Sequence, residues 1–82
     1  MNKLLIYEYI NRLERKDILN YCNKKNIFIN NDDLEIIYSY IKNEYKKIMN
    51  NPLDVLNEIK HKINDNVFNE IKNLYDKYKH FI

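Results

Sequence analysis

The chain has 82 residues and a formal net charge of +2, which is room for a single domain at 1–82 and too little charge to imply a polyanionic partner by itself. It contains no Gly and one Pro, so the usual material for hairpin turns and phosphate-cradling loops is missing and helices are the expected structure. The one cysteine, Cys22, excludes an intrachain disulfide, and no stretch approaches the roughly 20 apolar residues of a membrane span.

Residues 2 to 13 place Leu5, Ile6, Tyr9, Ile10 and Leu13 on one face and predict a short amphipathic first helix, with Leu4 and Tyr7 outside that arc. Its opening, Lys3 followed by Leu4, Leu5 and Ile6, starts like a signal sequence, but Glu8 ends the apolar run too early. A cytoplasmic location is the expectation. Glu14, Arg15 and Lys16 include no standard N-cap, so the second helix, with Ile18, Leu19, Tyr21 and Cys22 as its apolar positions, is expected to follow a kink and not a true loop. Asn26 is suited to the left-handed conformation that closes a helix. Ile27, Phe28 and Ile29 have no second strand to pair with, so an extended connector is expected, its side chains plugging the core and Ile29 stapling onto the next helix.

The stretch from Asn30 to Asn50 dominates the pattern. Leu34, Ile37, Tyr38, Ile41, Tyr45 and Ile48 line one helical face, and no internal residue breaks the run. Asn30 is a natural N-cap, and Asp33 stands where a capping box would close. Asp32, Asp33 and Glu35 crowd the positive end of the helix dipole, and Lys42, Lys46 and Lys47 the negative end. Ile36 and Tyr40 fall nearly opposite the main stripe, so this helix is read as central, with neighbours on two sides. Asn51 and Pro52 then mark a tight break and an N-terminus, with Leu53, Val55, Leu56, Ile59 and Ile63 on a broad arc. Asn64, Asp65 and Asn66 form the last break, before a helix with Val67, Ile71, Leu74, Tyr75, Tyr78 and Ile82 on one side and Phe68 at the margin.

The order of landmarks resembles the YqfT-like family, short helical proteins of low-GC Gram-positive bacteria. The likeness lies in Asp17-Ile18-Leu19-x-Tyr21, Lys24-Lys25-x-Ile27-x-Ile29, the long helix ending in Ile41-Lys42, and Ile71-x-x-Leu74-Tyr75-x-x-Tyr78. Two features depart from it: Glu14-Arg15 stands where relatives usually have a Thr or Ser cap, and Asn26 where they often have Gly. The resemblance implies a small helical fold and no known activity.

Chemistry is sparse. His61 and His80 lie on polar faces without converging ligands, and Cys22 sits late in its helix among core positions, where the dipole opposes a thiolate. Helix capping accounts for Asp32, Asp33 and Glu35, so no enzyme, metal or cofactor is expected. Tyr9, Tyr21, Tyr38, Tyr45, Tyr75 and Tyr78 have core-facing places, which leaves Tyr7 and Tyr40 as candidate exposed rings. The fold expected is all-α, a compact bundle of four to five short helices around a long central helix at about 31–49. The function expected is a protein-interaction or structural module, with a homodimer as one form of it. Leu4, Tyr7, Ile36 and Tyr40 are the candidate interface, because they exceed what one apolar face per helix needs. The alternative is a nucleic-acid-binding module using a basic patch of Lys42, Lys46, Lys47, Lys60 and Lys62, although Arg, the better phosphate fork, occurs only twice.

Overall fold

A computed structural model describes residues 3–79, apart from the side chains of Lys3, Leu4, Ile6 and Tyr78. The expected places of Leu4, Ile6, Tyr78, His80 and Ile82 therefore lie outside the described residues. Six helices and no strand occur among the described residues, in the order α1 (Lys3–Arg12), α2 (Arg15–Lys24), α3 (Asn31–Asn43), α4 (Tyr45–Asn50), α5 (Pro52–Ile59) and α6 (Asp65–Tyr78). They fold into a globule of 31 × 25 × 21 Å.

Between α1 and α2 the chain makes a true break. Glu14 adopts an extended conformation, with φ −118° and ψ 163°, and its backbone N–H donates to Asp17 Oδ2 at 2.8 Å. Glu14 thus takes the place of a Ser or Thr cap because the reciprocal half of a capping box, a carboxylate reaching back from the first turn, is present. The expected kink is corrected on this point.

Asn26 closes α2 as its side-chain type suggests. It has φ 56°, and the N–H groups of Asn26 and Ile27 donate back to the carbonyls of Asn23 and Cys22 at 3.2 and 2.8 Å. These two bonds form a Schellman motif, which satisfies the carbonyls the helix would otherwise leave open. The connector that follows is extended, so successive side chains point to opposite sides. Ile27 and Ile29 pack against the core, while Phe28 is 80% exposed and does not plug it.

Asn30 caps α3 with an extended backbone, its side-chain oxygen accepting from Asp33 N–H at 2.7 Å. The long helix at 31–49 does not hold. Glu44, at φ −120° and ψ 23°, divides it into α3 and α4. Hydrogen bonding is pinched there and not abolished, because Glu44 N–H still donates to the Tyr40 carbonyl at 2.8 Å and Ile48 N–H to the Glu44 carbonyl at 2.9 Å. The cause is tertiary. A straight rod over 31–49 would measure about 28 Å at 1.5 Å per residue, nearly the full length of the molecule. Breaking at Glu44 lets α3 pack on α1 and α2 while α4 folds against α5.

The core is modest. Ile37 from α3, Ile59 from α5, Ile63 from the following turn and Val67 from α6 form one buried cluster, flanked by Ile18, Ile36, Tyr40, Ile41 and Phe68, among others. Pro52 occupies the first position of α5, where its missing N–H costs nothing.

Asp33 ties the two ends of this cluster together. It is 4% exposed, and its Oδ2 accepts from both the backbone N–H and the side-chain amide of Asn64, at 3.0 and 2.8 Å. Asp33 therefore anchors the N-terminus of α6 and does not close a capping box on α3. A buried carboxylate is tolerable only when hydrogen-bonded, and Asn64 supplies two donors.

Candidate functional site

The feature that stands out against this core is a cleft of about 430 Å3 lined by residues from every helix. Close-packed interiors leave few voids larger than a water molecule, so an opening of this size is a property of the fold. The buried Ile37, Ile59 and Val67 form its floor. Tyr9, Tyr21, Ile48, Pro52, Leu74 and Tyr75 stand around its mouth, with Tyr9 the most exposed of them.

The walls are almost wholly hydrocarbon, and the charged side chains lining the cleft are Asp17 and Glu70. Asp17 holds the Glu14 N–H, and Glu70 Oε1 accepts from the Tyr21 hydroxyl at 3.3 Å. The Cys22 thiol faces the same space. Burial, together with the negative charge of Glu70, pushes its pKa up, so it stays protonated and behaves as a small apolar group. Among the described residues no three His, Cys, Asp or Glu side chains gather in a way that could hold a metal ion.

The candidate interface residues are placed as follows. Ile36 and Tyr40 are half-buried and pack against the core cluster. Tyr7 is partly exposed and meets the Tyr45 ring edge-on, with centroids 5.5 Å apart and planes at 60°. Leu4 falls on a side chain outside the described residues. More exposed than Tyr7, Ile36 and Tyr40 are Phe28, Leu53, Leu5 and Tyr9; the last two are 62% and 65% exposed, although helical spacing assigns both to the core face of α1. Ile10 and Leu13 alone turn inward from that predicted face among its described side chains.

The five lysines of the basic patch are not presented together as free cations. Lys42 Nζ donates to the carbonyls of Ile10 and Asn11 at 2.7 and 2.8 Å, closing the C-terminus of α1, as a cation at a helix C-terminus should. Lys47 pairs with Glu58 at 2.7 Å, and this hydrogen bond raises its pKa. Lys62 donates to the Tyr40 hydroxyl at 2.9 Å, which raises its pKa in turn. Lys46 and Lys60 are exposed.

Sequence reasoning missed the cleft because most of its lining residues read as ordinary core positions. Comparison of the chain with protein-family models, curated proteins and solved structures returns no significant match. Among the described residues no helix is long and apolar enough to cross a membrane.

Proposed function

We propose that the protein is a small, non-enzymatic, cytoplasmic interaction module that receives an apolar helix of a partner in this cleft. The observation that carries the proposal is the cleft itself, about 430 Å3 of hydrocarbon-walled space with charge confined to Asp17 and Glu70. Water in such a space lacks hydrogen-bond partners, so displacing it with apolar side chains is favourable. An amphipathic helix is the guest that brings several apolar side chains at once while keeping its own backbone satisfied.

The test is binding of a labelled Leu- and Lys-containing amphipathic peptide, followed by fluorescence anisotropy. Saturable binding is expected for that peptide and none for a version with Leu replaced by Ser, and Leu74→Arg at the mouth should abolish it. Equal affinity for both peptides, or for neither, overturns the proposal.

Kinship with the YqfT-like family is part of the same proposal at the level of fold, supported by the landmarks at Asp17 to Tyr21 and Ile71 to Tyr75. Nucleic-acid binding has less to stand on, since Lys42, Lys47 and Lys62 already serve internal partners. Lys46 and Lys60 remain for it, and a steep loss of affinity for labelled DNA or RNA with rising salt would be its signature.

A further inference from the structure

We infer that the occupant of the cleft is the first helix of a second copy of this chain. The inference rests on the docking proposal above and names the partner.

α1 leaves one stripe without a covering element. Leu5 and Tyr9 are one turn apart and 62% and 65% exposed, and Arg12, also exposed, follows Tyr9 by three residues. The spacing i, i+4, i+7 puts all three on one side of the helix. This stripe does not hold α1 in its own fold. Ile10 and Leu13 turn inward, Tyr7 rests on Tyr45, and Lys42 closes the C-terminal carbonyls. Arg12 makes no hydrogen bond or ion pair among the described residues.

The cleft offers the matching half. Its walls are apolar, and its charged groups are the carboxylates of Asp17 and Glu70. Neither carboxylate forms a salt bridge among the described residues: Asp17 accepts from the Glu14 N–H and acts electrostatically on Lys16, and Glu70 accepts from the Tyr21 hydroxyl. A helix with two apolar anchors and a guanidinium one turn later suits an apolar groove with acidic side chains. Arg and carboxylate form charge-assisted, often bidentate hydrogen bonds, whereas an anionic guest would be repelled.

Placement favours self-pairing. Tyr9 belongs both to the exposed stripe and to the mouth of its own cleft. Donor stripe and acceptor mouth therefore lie on the same side of the molecule, so one two-fold axis can bring each stripe over the other's mouth. Such an interface is isologous and closes at two subunits. With α1 only ten residues long, the contact falls at the small end of specific interfaces, and a dissociation constant on the order of micromolar is expected.

Sedimentation equilibrium from about 5 to about 500 μM covers that range. The wild-type chain should pass from monomer to dimer, and Leu5→Asp should remain monomeric with its helical circular dichroism intact, because Leu5 is exposed in the monomer. Arg12→Glu should raise the dissociation constant about tenfold or more, and adding Glu70→Lys to it should restore part of the loss. A monomeric wild-type chain, or a dimer indifferent to Leu5→Asp, overturns the inference. A monomer that still binds the Leu-containing peptide sinks self-pairing and leaves the docking proposal standing. A monomer that binds no such peptide sinks both.

Discussion

The corner where α2 turns into α3 and the outer face of α1 are held in different ways. At the corner several polar groups have local or long-range partners: the Schellman bonds at Asn26, the Asn30 cap, and the Asp33 link to Asn64. Arg15 also lies 4.4 Å over the Tyr38 ring and pairs with Glu35, its Nη2 donating to Oε2 at 3.1 Å. On α1 the aliphatic Leu5 and the aromatic Tyr9 face solvent beside the cleft. The corner is fixed by directional hydrogen bonds although Phe28 there is 80% exposed, whereas the outer face of α1 leaves Leu5 and Tyr9 uncovered. A small domain can leave one side open only if the other is over-determined.

The sharpest way to break that contrast is to compare core and cleft by truncation. Ile59→Ala, which empties a site 4% exposed in the central cluster, should cost about 2–4 kcal/mol in denaturant unfolding. Leu74→Ala on the cleft wall should cost about 1 kcal/mol or less, since its site is already partly empty. Equal costs would show that the cleft is as well packed as the core.

Removing the Asp33 link comes next. Asp33→Ala leaves two Asn64 donors without their acceptor and should cost about 1–3 kcal/mol, with faster hydrogen exchange at the Asn64 amide and the first turn of α6. If exchange there is unchanged, Asp33 does not anchor α6.

The α2 terminus gives a smaller effect. Asn26→Ala must hold a left-handed φ of 56° and should lose about 1 kcal/mol, whereas Asn26→Gly should be neutral or slightly stabilising. Identical effects for the two would remove the left-handed cap from the account.

The smallest effect is electrostatic. The Arg15 guanidinium, by hydrogen bonding, holds the Glu35 carboxylate below its ordinary pKa. A carboxylate depressed in the folded state stabilises above its unfolded pKa and loses that contribution as pH falls through the folded value. Glu35→Gln should therefore lower stability slightly at neutral pH and converge with the wild type in acid, where Glu35 is protonated; the effect is small because the pair is half in solvent. A larger change in acid than at neutral pH would contradict this.

Local chemistry in the sequence determined the all-helical class, the Asn30 cap, the left-handed closure at Asn26, the break before Pro52 and most of the buried set. Each depends on residues within one or two turns, where backbone geometry and side-chain type suffice. Tertiary structure decided the rest. It broke the 31–49 helix at Glu44, where no Gly or Pro marks the site, because α4 gains more by folding onto α5 than by continuing straight. It turned Asp33 from its own helix to Asn64, gave Lys42 to the end of α1, and left Leu5 and Tyr9 uncovered beside a cleft. Periodicity states which side chains share a face. Whether another element arrives to cover that face depends on how distant segments are placed, and that is settled only when the whole chain has packed.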